Sequence, residues 1–253
     1  MKPIYKLLLA LTPVFFVAAC GGGDDNLDDR LDIADPKVRF VHAIPAGPAV
    51  DFFRDTAIAG GMTNVDYKYA SKYFVVDTAP ADYTVKTTVG AATVATINVN
   101  PTRGNKYTFI AVPGDATTNN MLLINDPYDK QLTATNGRVR VVNGSFNAPS
   151  VDVYLTAPAV DITAVGPNFA GATFKTAVPA SGANSNDFTN GDYQLRITVS
   201  GTKTIIFSAP LHVDTNADLL LITLPNAIVA NDVKVLSVIA DNGQPSTEII
   251  TQP

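Results

Sequence analysis

The sequence has no tryptophan, one glutamate (Glu248), one cysteine (Cys20) and two histidines (His42 and His212). The single cysteine excludes an internal disulfide, so stability must come from a hydrophobic core. A zinc site needs three or four ligands, and His212 has no second histidine or cysteine near it in the sequence. Glutamate is a good helix former, and its scarcity beside abundant valine and threonine favours strands over helices.

Signatures of catalysis are missing as well. The sequence contains no GxSxG, HExxH, phosphate-binding loop or dinucleotide fingerprint. A serine nucleophile would need His42 or His212 as its base, and neither lies in a recognisable context. Asp214–Asp218 begins like a calcium loop, but Leu219 stands where glycine is needed and Pro225 where glutamate is needed. We therefore expect a protein without enzymatic activity, metal or cofactor.

The chain has no excess of positive charge. Its formal net charge is −5, and six aspartates lie between Asp24 and Asp35. Nothing in this balance attracts a polyanion, so we expect no nucleic-acid partner.

The N-terminus has the features of an export signal. MKPIYKLLLALTPVFFVAAC has a basic start, an apolar stretch over Leu7–Val17 and small residues before Cys20. This order is typical of a secretory signal peptide, and the apolar stretch is short for a membrane-spanning helix. The ending VAAC resembles the lipobox of bacterial lipoproteins, which implies removal of residues 1–19, lipidation of Cys20 and a membrane anchor. Gly21 after the cysteine suits an outer-membrane lipoprotein.

Residues 20–36 then have the composition of a tether. Their glycines give flexibility, and their aspartates repel one another and stay hydrated. Calcium binding by these aspartates is the alternative, but no glycine-containing loop with a terminal glutamate supports it.

The rest of the chain is repeated. VRFVHAIPAGPAVDFF, from Val38, returns as VRVVNGSFNAPSVDVY, from Val139, at an offset of 101 residues. DYTVKTTVG, from Asp82, returns as DYQLRITVS, from Asp192, at an offset of 110. A growing offset indicates loop insertions in the second copy. Both copies alternate apolar and polar residues and have turn residues about every ten positions, which predicts antiparallel sheets. The prediction is all-β, with two tandem Ig-like β-sandwich domains over 37–134 and 135–253, each of about seven or eight strands.

A family resemblance lies in the opening motif and in a second motif further along. The matching residues are Val38, Arg39, His42, Ala43, Pro45, Pro48, Val50 and Asp51, then Ser71, Tyr73, Pro80, Ala81 and Tyr83. This pattern resembles the bacterial domain-of-unknown-function family numbered 4397. The resemblance implies extracytoplasmic Ig-like domains, often on lipoproteins, and no established activity. In the second copy Asn143 replaces the histidine.

Both copies keep an arginine and an aspartate at the same spacing, Arg39 with Asp51 and Arg140 with Asp152. We expect two structural ion pairs that fix strand register or anchor the proline-containing connection, with Asp152 in salt-bridge range of Arg140. A functional pair is the alternative. His42, and Asn143 in its place, are expected to be buried and to cap the proline-rich loop.

Tyr67 and Tyr69 are the candidate ligand surface, because alternation would place both rings on one strand face. Aromatic platforms suit sugars and peptides, and ordinary packing is the alternative. The function expected from these features is a lipid-anchored envelope or surface module that is non-catalytic and binds a protein or glycan, or maintains structure. The alternatives are a lipoprotein that binds a small molecule or saccharide, an accessory subunit of an envelope assembly, and a hydrolase.

Overall fold

The computed structural model describes residues 34–114, 120–127, 135–240 and 246–251. The predicted signal peptide, Cys20 and most of the predicted tether lie outside these residues. The described residues form eighteen strands, one short 3-10 turn (Ile162–Ala164) and no α-helix. The all-β prediction is therefore confirmed. No helix within these ranges is long and apolar enough to cross a bilayer.

Repeat 1 is a sandwich of two four-stranded sheets. Its strands are β1 (Lys37–His42), β2 (Val50–Arg54), β3 (Ala57–Ile58), β4 (Phe74–Val75), β5 (Ala81–Thr87), β6 (Thr93–Val99), β7 (Asn105–Ala111) and β8 (Met121–Pro127). Inner sheet 1 has the order β4-β1-β7-β8, and outer sheet 1 has the order β3-β2-β5-β6.

Repeat 2 is a larger sandwich on the same plan. Its strands are β9 (Asn136–Asn143), β10 (Ser150–Thr156), β11 (Phe169–Thr173), β12 (Thr176–Val178), β13 (Asn186–Thr189), β14 (Gly191–Val199), β15 (Ile205–Val213), β16 (Asp218–Pro225), β17 (Val233–Ile239) and β18 (Thr247–Ile249). Inner sheet 2 has the order β12-β9-β16-β17-β18, with β13 also paired to β9, and outer sheet 2 has the order β11-β10-β14-β15. The insertion after β10 supplies three short strands where repeat 1 has two.

One strand pair in each inner sheet is parallel, whereas the sequence predicted antiparallel pairing. β1 runs parallel to β7, with Phe40 beside Phe109, and β9 runs parallel to β16, with Val141 beside Leu221. A parallel neighbour needs a long crossover connection. Here the strands of the outer sheet supply that connection.

Alternating side chains of both sheets fill each sandwich core. In repeat 1 four aromatic rings stack across the two sheets, with centroids 4.7 Å apart for Phe40 and Phe52 and 4.4 Å apart for Tyr83 and Phe109. The core of repeat 2 is mostly aliphatic, around buried Phe169 and Phe207.

A third apolar cluster joins the two repeats, which we call the joint. Its buried members come from inner sheet 1 and the residues just after its strands (Val41, Ala43, Ile110, Val112, Ile124) and from inner sheet 2 (Val142, Leu220, Ile222, Leu224, Leu236, Val238). The inner sheets are therefore buried on both faces, as their continuous apolar runs require. The molecule is a stack of four sheets in which the two inner sheets pack face to face.

Candidate functional site

Four basic side chains lie on the joint-facing side of the inner strands, near the strand starts. Arg39 is on β1, Lys106 on β7, and Arg138 and Arg140 on β9. Their sequence neighbours point into the sandwich cores, so alternation directs these side chains toward the opposite repeat. All four residues are buried. We call them the basic cluster.

The basic cluster lines a small cavity between the two sandwiches. The space open to water-sized spheres measures about 30 Å³. Tyr73, Thr108, Asp126 and Asp218 also line it. The described lining thus contains four basic side chains and two carboxylates. Buried charge is costly unless it is paired and hydrogen-bonded, so this is the most demanding electrostatic environment in the described structure.

Arg140 bridges the repeats at one side of the cavity. Its guanidinium lies 3.2 Å from a carboxylate oxygen of Asp126 in repeat 1 and also donates to the carbonyl oxygens of Pro179, Ala180 and Ala183. Burial raises the pKa of Asp126, and the charge of Arg140 opposes that shift. Burial likewise lowers the pKa of Arg140, against the pull of Asp126. The arrangement is a fixed clamp.

Arg39 occupies the other side with fewer partners. Its Nε donates to Thr108 Oγ1 at 2.9 Å, and Tyr73 and Thr108 hydroxyls are also 2.9 Å apart. The guanidinium carbon lies 4.7 Å from the centre of the Tyr73 ring, in range for a cation–π interaction. Arg39 Nη1 is buried and has no hydrogen-bond partner among the residues that the structure describes.

Glu248 ties together a second part of the joint. It accepts a hydrogen bond from the Tyr67 hydroxyl at 2.5 Å and lies 2.9 Å from Lys234 Nζ. Lys68 Nζ is 3.9 Å away on the other carboxylate oxygen. Burial alone would raise the pKa of Glu248, but the Tyr67 hydroxyl and Lys234 hold it below its usual value. Burial and the neighbouring carboxylate raise the pKa of Tyr67.

The predicted platform of Tyr67 and Tyr69 does not form. Both lie in a turn in which the Tyr69 amide donates to the Asp66 carbonyl and Lys68 has a φ of 77°. This turn breaks the expected alternation of a strand. Tyr67 packs into the joint, whereas Tyr69 packs against the core of repeat 1. The structure assigns both rings to packing.

The predicted ion pairs, Arg39 with Asp51 and Arg140 with Asp152, are wrong. Each arginine is on an inner sheet and points into the joint, whereas each aspartate is on the first strand of the outer sheet of its repeat. The neighbours of Asp51 and Asp152 point into the sandwich cores. The two members of each predicted pair therefore project from opposite outer faces of the sandwich, with the core between them.

The two aspartates instead share a loop-fixing role. Asp51 accepts from the Asn64 amide at 2.7 Å and the Thr88 hydroxyl at 2.8 Å. Asp152 accepts from the Gly171 amide at 2.6 Å, the Gly201 amide at 2.8 Å and the Ser200 hydroxyl at 3.1 Å. The Asn64 amide, with help from the hydroxyls, lowers the pKa of Asp51.

His42 and Asn143 cap equivalent loops, as expected. The Ile44 amide donates to His42 Nδ1 at 3.3 Å, so Nε2 carries the proton that is donated to the Pro48 carbonyl at 3.0 Å. The Ser145 amide donates to Asn143 Oδ1 at 3.0 Å, and Asn143 Nδ2 donates to the Ala148 carbonyl at 2.8 Å. His42 is fully buried, which lowers its pKa.

His212 is exposed and hydrogen-bonded to Asp192 at 2.6 Å, and its other ring nitrogen lies 3.4 Å from Asp214. The bond to Asp192 raises the pKa of His212. Among the described residues, no group of three histidine, cysteine, aspartate or glutamate side chains could hold a metal ion.

Sequence reasoning did not identify Lys106, Arg138 and Glu248. Lys106 and Arg138 had a signal, because each lies near the start of a strand with apolar residues on both faces, Phe109 and Ile110 on β7 and Val141 and Val142 on β9. Both faces of such a strand must pack against another layer of the fold. A basic residue on the second face then indicates the polar edge of that second packing surface. The only signal for Glu248 was that it is the single glutamate in the sequence.

Residues 36–154 match a family model, Domain of unknown function (DUF4397). This segment resembles DUF4397 domains. The DUF4397 match covers all of repeat 1 and ends within β10, at the last residue of the second copy of the opening motif. The resemblance expected from the motifs is thus confirmed. A search of curated proteins finds no match to the chain.

Proposed function

We propose that this protein is a lipid-anchored, non-catalytic module of the bacterial cell envelope, held at the outer membrane through Cys20. The support is the order of the N-terminal sequence: a signal peptide, a lipobox and an acidic tether. Each buried methylene of an acyl chain contributes about 0.8 kcal/mol, and stable anchoring takes more than one chain. A flexible tether of this length reaches roughly 20–25 Å from the membrane.

The observation that carries the non-catalytic, structural part of the proposal is the joint. The two sandwiches share a third apolar core, and Arg140 and Glu248 add polar contacts across it. A shared core of this kind makes the two repeats behave as one rigid body rather than as two domains that move independently. His42, Asn143 and the loop-fixing aspartates are engaged in local hydrogen bonds. This use of polar groups supports a module that holds a shape.

The rigid body has two different ends. At the near end Asp35 lies 3.1 Å from Arg103, and the Gly104 amide donates to the Ala34 carbonyl, so the tether leaves beside the start of β7. The ends of β7 and β9 also lie together, because a Cβ on Gly144 would be 3.3 Å from Val112 Cγ1. Because β16 runs parallel to β9, it ends at the same side as β7 and β9. The loop that follows β16 is therefore at the far end, away from the tether.

That loop, residues 226–232, is the far tip. It presents Ile228, which is 94% exposed, and Val229, which is 60% exposed. The Asn147 side-chain amide holds it by donating to the carbonyl oxygens of Ala227, Val229 and Asp232. A preorganised loop that displays aliphatic side chains suits an apolar groove on a protein better than a glycan. We propose that the far tip is where an envelope protein binds.

The anchor is tested by intact mass of the protein from membrane fractions, with wild type beside Cys20→Ala. We expect the wild type to lack residues 1–19 and to gain acyl mass, and the variant to be soluble and unlipidated. A wild type that is soluble and carries no acyl mass would refute the anchor.

The far tip is tested with a photo-cross-linking residue at Ile228 in living cells. Val89 is the matched control, because it is 89% exposed but lies on a hairpin of outer sheet 1. We expect a discrete protein adduct from position 228 and none from position 89. Equal adducts at both positions, or none at either, would contradict binding at the far tip.

A further inference from the structure

Charged side chains of both repeats line the cavity between the sandwiches. Its described lining includes more basic side chains than carboxylates, and basic residues of both repeats contribute. The charged residues that line it are Arg39, Lys106, Asp126, Arg138, Arg140 and Asp218.

Arg39 is the key group because its hydrogen bonding is incomplete. It is 5% exposed, and its Nε bond to Thr108 and its contact with Tyr73 fix the guanidinium plane. Nη1 has no acceptor. Leaving a buried donor of a charged group unsatisfied costs more than leaving a neutral donor unsatisfied. A structure that holds such a donor against a cavity has a place for an acceptor.

Both carboxylates of the lining are already engaged, Asp126 with Arg140 and Asp218 with other groups. Asp126 bonds the Nη2 atom of Arg140, and Arg140 is held at the same time by three carbonyl oxygens of repeat 2. Moving Asp126 to Arg39 would break this clamp. An acceptor from outside the chain satisfies Arg39 Nη1 without that loss.

We propose that the cavity binds one small anion between the two sandwiches, a halide or a single carboxylate group, with Arg39 Nη1 as a direct donor. The size follows from the space of about 30 Å³. One water needs about 10–15 Å³ on this measure. The cavity therefore accommodates an anion of chloride or formate size and excludes a nucleotide or a sugar phosphate.

The position of the site gives the anion a structural effect. Arg39 and Lys106 belong to repeat 1, and Arg138 and Arg140 belong to repeat 2. An anion held by Arg39 of repeat 1 shares the cavity with Arg140 of repeat 2, so it attracts both sandwiches. Binding to the folded state alone raises stability by mass action. This inference does not depend on the lipid anchor or on the far tip.

The test uses the full chain, purified in neutral detergent and dialysed into sodium gluconate, whose anion is too large for the cavity. Thermal unfolding is followed while chloride, formate, acetate or sulfate replaces gluconate at constant ionic strength. We expect a saturable rise in Tm with chloride or formate and none with gluconate. A rise with chloride alone identifies a halide site, and a rise with formate and acetate identifies a carboxylate site.

Two variants and a direct measurement complete the test. Arg39→Lys keeps the charge but loses the fixed Nη1 donor, and we expect it to weaken binding at least tenfold, measured by chloride-35 NMR line broadening or calorimetry. Arg39→Met should abolish the Tm response. Arg54→Met, which removes an arginine paired with Asp77 on the outer sheet, should leave it unchanged.

The same Tm in every salt, with no line broadening in the wild type, would overturn the proposal and leave water as the occupant. A response that survives in Arg39→Lys and Arg39→Met would overturn it equally. Since line broadening is measured on folded protein, a loss of stability in either variant does not hide the result.

Discussion

His42 and Asn143 place two different side chains in the same structural role. Each side chain accepts a hydrogen bond from the backbone amide two residues further along the chain. Each also donates a hydrogen bond to a backbone carbonyl at the other side of the loop. The histidine can do so only as the neutral tautomer with its proton on Nε2. The asparagine does the same at any pH. The cap in repeat 1 is therefore sensitive to acid, whereas the equivalent cap in repeat 2 is not.

The first prediction concerns this sensitivity. Burial lowers the pKa of His42 below its usual 6.5, so the unfolded chain binds the proton more readily. The free energy of unfolding must then decrease as the pH falls below about 6.5, toward the folded pKa. His42→Asn should make the free energy of unfolding less dependent on pH, measured by urea denaturation at about pH 7.5 and pH 5.

His212→Asn is the control for that experiment. The hydrogen bond to Asp192 raises the pKa of His212, so its contribution is present below 6.5 and is lost as the pH rises through the folded pKa. Removing it should change the pH dependence in the opposite direction from His42→Asn. An unchanged acid response in His42→Asn would show that another group is responsible.

The second prediction distinguishes the partners of Arg140. Because Arg140 bonds Asp126 and shares no partner with Asp152, a double-mutant cycle with Arg140→Met should give about 0.5–3 kcal/mol of coupling to Asp126→Asn. The same cycle with Asp152→Ala should be additive within about 0.5 kcal/mol. Coupling to Asp152 instead would restore the ion pair that the sequence suggested.

These residues show what sequence can and cannot give. The repeated motif located Arg39, Asp51 and their counterparts, and the replacement of a histidine by an asparagine indicated a cap. Proximity along the chain suggested ion pairs, but adjacent strands in sequence lie in different sheets here. Which sheet a strand joins depends on long-range packing, to which the local pattern gives no access.

At the scale of elements, β16 and its neighbours explain how the sandwiches join. In LLLITL, Leu219 and Leu221 face the core of repeat 2, whereas Leu220 and Ile222 face repeat 1. The sequence of this run is apolar on both faces, which is typical of a central strand. It could not say what covers the second face, since a further layer of the same domain would have produced the same pattern.

The third prediction measures that second face. Ile222→Ala should destabilise the protein by about 2–5 kcal/mol, comparable to Leu221→Ala, because both side chains are buried. Ile205→Ala on β15 is the matched control, since Ile205 is 47% exposed, and it should cost no more than about 0.5 kcal/mol. A nearly neutral Ile222→Ala would mean that the joint opens in solution.

At the scale of the whole molecule, the joint makes the two repeats one cooperative unit. The inner sheets cannot separate without exposing the apolar side chains of the joint and breaking the contacts of Glu248 with Tyr67 and Lys68. Exposure on that scale opposes independent unfolding of either repeat.

The fourth prediction follows from this cooperativity. Hydrogen exchange in increasing urea should show peptides of β5 and β14, from the two outer sheets, losing protection at one shared midpoint. Ile222→Asp places a charge in the joint and should separate the two midpoints. Separate midpoints in the wild type would contradict the cooperative unit.

The parallel pairs also impose an order of events on a chain that is synthesised from its N-terminus. The hydrogen-bonded residues Arg39 of β1 and Thr108 of β7 are 69 positions apart, and Asn143 of β9 and Thr223 of β16 are 80 apart. β1, which is buried on both faces in the folded protein, emerges long before its central neighbour. Contacts so distant in sequence form slowly. The emerging chain must therefore stay unaggregated until β7 and β16 arrive, so the burial of β1 and β9 waits for strands that are made much later.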